Sequence, residues 1–482
     1  MYANVHFKEW RIFMKTDTIV AIATALSDSG IGIVRVTGDE AIQIVNKIFV
    51  NKNGKSCLGG YKTHTIHYGY IIDSFSEEED FRKKIVDEVM VALMKAPNSY
   101  TKEDTVEINC HGGVLLLQKV LELIIKCGAR MAEPGEFTKR AFLNGRIDLA
   151  KAEAVMDLIH SQNEFALKSS VEQLKGSVSE AVRNLREEII YEIAFIESAL
   201  DDPEHISLEG YEEKLQEKTV SILERVQKLI ASADNGKMMK EGINTVIVGK
   251  PNAGKSSLLN RMVGEERAIV TDIAGTTRDV LQESIRLHGI SLNMIDTAGI
   301  RSTEDVVEKI GVERAKEYAA KADLILYVVD SSVPLDDSDK EIISVIQNKK
   351  VIVLLNKSDL EPKVTEEELK ELFGSKDMSL VRTSTKENTG MEEFEEIIKD
   401  MFFRGQIKSN EEVVITNMRH KEALVEAEKS LQMVMNSLDM HMPEDFYSID
   451  LMSAYASLGY IIGEEVDEDL VNEIFTKFCM GK

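Results

Sequence analysis

The stretch Thr245–Ser256 reads TVIVGKPNAGKS, and no other run constrains the fold as tightly. Thr245–Val248 is short and apolar, as a strand buried in a parallel sheet should be. Gly249–Ser256 fits G-x-x-x-x-G-K-S, and Leu258, Leu259 and Met262 follow at helical spacing. A strand, a glycine-rich turn and a helix in that order make a phosphate-binding loop. Gly249 and Gly254 let the backbone turn its N–H groups inward, where they and the helix N-terminus hold phosphate oxygens. Lys255 adds a point charge at the terminal phosphates, and Ser256 offers a hydroxyl to Mg²⁺. The competing reading, a chance Gly-Lys-Ser turn, leaves the flanking strand and helix unexplained.

Three later stretches extend the same chemistry. Asp296-Thr297-Ala298-Gly299 follows a strand-like Leu292–Ile295; its carboxylate suits Mg²⁺ through water and its glycine N–H a γ-phosphate. Asn356-Lys357-Ser358-Asp359 ends the apolar run Val351–Leu355, and a carboxylate there can accept two hydrogen bonds from guanine. Ser384-Thr385-Lys386 falls where a loop would cover the base. Together these resemble the motif set of the Ras-like GTPases, in the usual order, over about Ile243–Phe403. The resemblance implies GTP rather than ATP. Thr385 stands where that last motif usually has alanine.

A chain of 482 residues holds about three domains, each able to bury a core. Hydrophobic content of 43% and charged content of 29% are those of an ordinary soluble protein. The net charge of −25 argues against a broad nucleic-acid surface, while leaving room for a local basic patch. Cys57, Cys110, Cys127 and Cys479 show no C-x-x-C spacing, so neither zinc nor a disulfide framework is expected. No apolar run reaches the ~18 residues of a membrane span. With no signal-peptide pattern either, the expected location is cytoplasmic.

Met1–Lys15 has no clear period; it reads as an upstream extension of the reading frame, with Met14 a second possible start, and a short interaction arm is the alternative. Residues 16–144 look like an α+β domain. Strands are expected at Thr18–Thr24, Ile31–Val36, Thr65–Ile72, Glu88–Met94 and Thr105–Cys110, and helices at Asp39–Phe49 and Val114–Ile125. Gly30-Ile31-Gly32 and His111-Gly112-Gly113 read as turns, and Phe75–Lys84 as a solvated loop. Residues 145–242 are mostly helical: Val171, Leu174, Val178, Val182, Leu185, Ile189, Ile193 and Ile196 form one stripe on a long helix. Leu215, Ile222, Val226 and Ile230 mark a second helix, and Leu424, Ala427, Leu431, Val434 and Leu438 a third, within 404–482. The economical architecture is one discontinuous helical domain with residues 243–403 inserted into it as an α/β unit; two separate helical domains are the alternative.

Four further runs carry a closer resemblance: GIVRVTG near the start, EPGEFTKRAFLNGRIDLA in the middle, TDIAGTTRD after the phosphate loop, and Cys479-Met480-Gly481-Lys482 at the end. With these the chain resembles the MnmE (TrmE) family of tRNA-modification GTPases over about Asp17–Lys482. The resemblance implies an N-terminal folate-binding domain, a discontinuous helical domain, an inserted G domain and a homodimer. It also implies a flavoprotein partner of the MnmG type, in a heterotetramer that installs an aminomethyl or carboxymethylaminomethyl group on C5 of the wobble uridine of certain tRNAs. GTP hydrolysis would drive G-domain dimerisation and conformational cycling.

Site residues follow from the same resemblance. The nucleotide contacts are Asn252, Ala253, Gly254, Lys255, Ser256 and Ser257, the loop Thr271, Asp272, Ile273, Ala274, Gly275, Thr276 and Thr277, and the three motifs above, including Lys357 and Lys386. Ras-like enzymes orient water with a glutamine after D-T-A-G; here Ile300 follows Gly299, and isoleucine cannot do so. In the family a K⁺ ion replaces the arginine finger, with ligands matching Asn252, Thr271, Ile273 and Thr276. Thr277 joins Ser256 on Mg²⁺, and Glu308 matches the acid that orients water. Arg35, Glu107, Arg146 and Lys482 match positions around a tetrahydrofolate, carried as the 5-formyl or 5,10-methylene form. Arginines can clamp its anionic tail, and a carboxylate can read the pterin edge. Arg146 stands where some members carry lysine, and Ser27-Asp28-Ser29-Gly30 where many have a glycine-rich run. Cys479 matches the C-x-G-K cysteine, near the one-carbon chemistry or merely at a helix end.

Two other classes compete. Ribosome-assembly GTPases share T-x-x-G-T-T-R-D but usually carry an RNA-binding module or a second GTPase domain, and neither is visible here. A regulatory switch would hydrolyse GTP only to control a partner, and folate binding would separate it from the modification enzyme.

Overall fold

The computed structural model describes residues 17–265, 283–287, 290–295, 321–374, 378–403, 413–464, 466–479 and 481. The expected N-terminal extension lies outside them. The described residues form two compact units. One comprises those within Met1–Met156, Gln173–Ile190 and Tyr455–Lys482, the other those within Asp157–Glu172 and Tyr191–Ala454.

The first unit is built on a sheet of β1 (Ile19–Ile22), β2 (Ser29–Thr37), β3 (Phe49–Val50), β4 (Thr65–Ile72), β5 (Ile85–Met94), β6 (Thr105–Gly112) and β7 (Arg130–Met131). Their order is β3-β4-β5-β6-β2-β1-β7, and only β1 with β7 is parallel. Strand β5 shows why one face is a core: Asp87, Val89, Val91 and Leu93 alternate inward with exposed Glu88 and Met90. Helix Val114–Lys126 covers that inner face with Leu117, Val120, Leu121 and Ile124. Arg35 and Glu107 are directly opposite in the β2–β6 ladder. They project from the other face, since Val34, Val36, Val106 and Ile108 belong to the core.

Several sequence expectations are corrected here. The helix expected over Asp39–Phe49 stops at Asn46, because Phe49 and Val50 pair with Ile71 and Tyr70. Gly30–Gly32 is no free turn: it lies in β2, whose register to β6 shifts between Ser29 and Gly32 as at a bulge. Gly112 likewise closes β6, and Phe81–Lys84 forms a 3₁₀ turn within the expected loop. The long apolar stripe sits on two helices, Glu164–Lys175 and Ser177–Asp201, broken at Gly176 with φ +113°. Near the end of the chain, helix Glu468–Thr476 brings Val471, Phe475 and Phe478 against Phe142 and Leu149.

The second unit contains β8 (Ile243–Val248), β9 (Glu283–Leu287), β10 (Ile290–Met294), β11 (Leu324–Asp330), β12 (Val351–Asn356) and β13 (Ser379–Arg382), in the order β13-β12-β11-β8-β10-β9. All neighbours are parallel except β9 and β10. Parallel strands are covered on both faces, hence the unbroken burial of β12. Leu258, Met262, Phe394 and Phe402 fill one side, and Ile343, Ile346, Leu369 and Phe373 the other.

Helix Tyr211–Glu241 runs beside helix Met418–Asp439 in the opposite direction. Gln216 donates to Asp439 (3.2 Å), Gln227 donates to Glu428 (2.8 Å), and the Ile415 N–H donates to Ser232 Oγ (3.1 Å). The first helix ends at Gly242, and β8 starts at the next residue. The α/β layers therefore interrupt a helical pair that closes on either side of them. The chain is multidomain: an N-terminal α+β domain, a discontinuous helical domain and an inserted Ras-like α/β domain. No described helix is long and apolar enough to cross a membrane.

Candidate functional site

In the six-stranded sheet β8 is flanked by β10 on one side and β11 on the other, so the chain winds in opposite directions away from it. Ligands of such sheets bind at the strand C-termini beside that reversal. Val248 ends β8 there, and helix Lys255–Glu265 begins after the loop. A side chain could not replace Gly254: its φ is +102°, and a Cβ would lie 2.0 Å from Asn356 Nδ2. Asn252 stands at the crest of the loop, exposed and with φ +61°. Lys255 Nζ donates to the carbonyls of Gly249 (2.7 Å) and Lys250 (2.6 Å). Burial pulls its amine below the ordinary lysine value. A half-buried cation among loop carbonyls at a helix N-terminus is a cradle for phosphate.

The base end is assembled from β12 and the turn after β13. Asn356, 1% exposed, donates through Nδ2 to the Ala253 carbonyl (2.9 Å) and accepts from the Thr385 N–H (3.4 Å). It ties the phosphate loop to the turn after β13. Asp359 accepts from Ser384 Oγ (2.7 Å), and that bond first of all holds its carboxyl below the ordinary value. Ser384 is buried and bridges to Thr389, fixing the turn that contains Thr385 and exposed Lys386. Lys357 has φ +61° and donates to Asp330 Oδ2 (2.6 Å). Burial works to raise the Asp330 carboxyl, and Lys357 with Ser332 more than offsets it. Ser256 and Ser257 open the helix, both exposed. Thr271, Asp272, Ile273, Ala274, Gly275, Thr276, Thr277, Asp296, Thr297, Ala298, Gly299 and Glu308 lie outside the described residues.

The second constellation is in the first unit. Arg35 Nε donates to Glu107 Oε1 (2.7 Å), as their cross-strand register predicts. Arg35 Nη1 donates to the Gly481 carbonyl (2.9 Å), so the end of the chain reaches this domain. Gly481 is buried with φ +84°, and a Cβ there would lie 2.6 Å from the Ile22 carbonyl. Only glycine allows that approach. Exposed Arg146 donates to the Tyr100 carbonyl (3.3 Å), and its guanidinium lies 4.7 Å from the Tyr100 ring centroid. Arg35 lies 5.9 Å from the same centroid and 5.6 Å from that of Phe137. Cys479 is exposed, and its carbonyl accepts from the Gly135 N–H (3.3 Å). Lys482 lies outside the described residues. Two cations, a carboxylate and the half-buried Tyr100 ring lie together here, whereas Phe137 is fully buried beneath Arg35; such a set suits a planar, anionic ligand.

Sequence reasoning missed Tyr100, which belongs to no motif. It also gave no role to Glu136 and Arg140, although both lie in the EPGEFTKRAFLNGRIDLA run and are spaced one helical turn apart. Arg140, 4% exposed, joins Asp17, Glu103 and Glu136, and Arg130 joins Asp17 and Glu136. This network fixes the base of helix Glu136–Leu143, from whose far end Arg146 follows.

Comparison with known proteins covers nearly the whole chain. A sequence model of the MnmE helical domain matches residues 149–479, and one of the GTP-binding protein TrmE N-terminus matches 18–146. The chain is similar to the tRNA modification GTPase MnmE of Lachnoclostridium phytofermentans, 57% identical over 469 residues, or 97% of this chain and 100% of that one. It is 47% identical to the protein of the same name from Alkaliphilus oremlandii, over 97% of this chain and 99% of that one. Thermoanaerobacter pseudethanolicus has another, also 47% identical, over 97% and 100%.

Proposed function

From the premise that the chain belongs to the MnmE family of tRNA modification GTPases, we propose that it is a K⁺-dependent GTPase. In this reading it works with an MnmG-type flavoprotein to modify C5 of the wobble uridine of certain tRNAs. GTP hydrolysis and a role in tRNA modification, with GTP, Mg²⁺ and tRNA as ligands, come with the family itself. The rest is our reading: a cytoplasmic homodimer, a heterotetramer with the flavoprotein, and G domains that pair and separate through the GTP cycle. The domain limits we adopt are 16–144, 145–242, 243–403 and 404–482.

In the G domain, Lys255 and the loop N–H groups would hold the β- and γ-phosphates, and Asp359 would read the guanine edge. Ser256 and Thr277 would hold Mg²⁺, which offsets charge on the phosphates. Asn252, exposed at the loop crest, would hold K⁺ with Thr271, Ile273 and Thr276. Amide, hydroxyl and carbonyl oxygens are the donors a hard cation takes. Glu308 would orient the attacking water.

The single observation that carries the modification reading is the Gly481 carbonyl docked on the Arg35–Glu107 pair. That carbonyl accepts from a guanidinium beside a carboxylate and the Tyr100 ring, in the N-terminal domain and not in the phosphate-loop domain. Arg35, Glu107, Arg146 and Lys482 would hold a tetrahydrofolate there, which supplies the one-carbon unit, with Cys479 beside it. The test is mass spectrometry of tRNA nucleosides from a strain whose only copy lacks Cys479–Lys482, with GTPase rates measured on the purified protein. Loss of the modified uridine with GTP hydrolysis spared is expected. Normal modification would overturn the folate reading and leave the tail a helix end.

A further inference from the structure

The phosphate loop contains a second lysine. Lys250 follows the first glycine, and its Nζ lies 2.7 Å from Asp339 Oδ2 and 3.0 Å from Asp336 Oδ2. Asp339 is 1% exposed, in the first turn of helix Asp337–Ile346. Its Oδ1 accepts from the Tyr327 hydroxyl (2.8 Å), and its Oδ2 also accepts from the Asp336 N–H (2.9 Å). Tyr327 is fully buried on β11, paired with Val248, the last residue before the loop. A carboxylate this deep requires a cation partner and filled lone pairs, and Lys250 is its lysine.

The other end of Lys250 faces the nucleotide machinery. Its carbonyl is one of the two that accept from Lys255 Nζ, at 2.6 Å; Gly249 supplies the other at 2.7 Å. Lys250 is therefore held at both ends, by its side chain to Asp339 and Asp336 and by its main chain to Lys255. A loop limb fixed in this way needs less ordering when phosphate arrives.

We propose that Lys250 is a positioning residue for GTP and GDP: its clamp on Asp339 and Tyr327 presets the Gly249–Lys250 limb that aims Lys255 at the phosphates. Lys250 touches no substrate and acts through Lys255.

The experiment uses the full chain with K⁺ and Mg²⁺ present, and follows release of a fluorescent GDP and steady-state GTP hydrolysis. Lys250→Met keeps the stem and removes the charge. GDP release should accelerate, and KM rise, by about tenfold, the scale of a lost interaction of ~1.4 kcal/mol, with kcat within about twofold. Lys250→Arg should restore both values. Lys250→Met combined with Asp339→Asn removes both charges, so it also tests the idea if Lys250→Met alone folds poorly. It should show the same fast release as Lys250→Met, because that substitution alone already removes the clamp on Asp339 and Asp336. Lower melting temperature with unchanged GDP release would overturn the proposal, leaving a purely structural ion pair. A fall in kcat at constant KM, or additive effects in the double variant, would overturn it as well.

Discussion

The side-chain amide of Asn356 donates to the main-chain carbonyl of Ala253 across 2.9 Å, joining the end of β12 to the phosphate loop. The two residues are 103 apart in sequence. With its oxygen on the Thr385 N–H, Asn356 spans three loops, whereas Asp359, the proposed guanine reader, is held by Ser384.

These two residues should therefore fail differently. Asp359→Asn should weaken GTP binding about ten- to a hundredfold, the range of a lost charged hydrogen bond, and admit xanthosine nucleotides. Asn356→Ala should weaken both nucleotides alike, because it loosens the loops. Competition against a fluorescent GDP measures both. Equal affinity of the unmodified protein for ATP and GTP would end the guanine reading.

The proposed potassium dependence rests on Asn252 and on isoleucine at 300. GTP hydrolysis should be faster in K⁺ than in Na⁺ at matched ionic strength, on the order of 10²-fold, as for loss of a transition-state charge stabiliser. On the proposed assignment the smaller Na⁺ would be held less well by the same ligand set. Asn252→Ala should erase the difference, and Glu308→Ala should slow hydrolysis with nucleotide affinity little changed. Phosphate-release assays decide it, and indifference to the cation would refute the assignment.

Glu136 should shape stability in acid. Burial works to raise its carboxyl, but hydrogen bonds from Arg130 (2.6 Å) and the Glu133 N–H (2.9 Å), with Arg140, bring it from 4.5 to about 2. A folded-state value below the unfolded one means the contribution is complete above pH 4.5 and is lost as pH falls towards about 2. Glu136→Gln should cost about 3 kcal/mol near neutral pH and flatten the acid limb in that window. Chemical denaturation at a series of pH values measures it. An unchanged acid slope would show that the network does not respond to this proton.

The helical pair Tyr211–Glu241 and Met418–Asp439 should outlive the domain between them. Removing Ile243–Phe403 and closing the gap with a short linker should leave a soluble helical protein, because the two helices pack on each other and bury Leu215, Ile222, Val226, Leu424, Ala427 and Leu431, with Gln216–Asp439 and Gln227–Glu428 bridging them at the surface. One cooperative thermal transition for this pair is expected. Separate melting of the two helices would argue for independent arms.

Contiguous chemistry was legible in the sequence. Residues 245–256 carry the strand, the glycines, the lysine and the helix start in one run, because a phosphate cradle is made from adjacent backbone N–H groups. The N-K-S-D run and the C-terminal C-x-G-K run were recognisable for the same reason. What the tertiary structure alone decided are pairs distant in sequence. Arg35 meets Glu107 over 72 residues and Gly481 over 446, and Lys250 meets Asp336 over 86. Periodicity places a side chain on a face, but which strand lies beside it depends on sheet order, and helical spacing did not reveal the break at Gly176. Tyr100 and Asp339 show the limit most clearly. An isolated tyrosine or aspartate has no local signal, and each acquires its role only when folding brings an arginine or a lysine within reach.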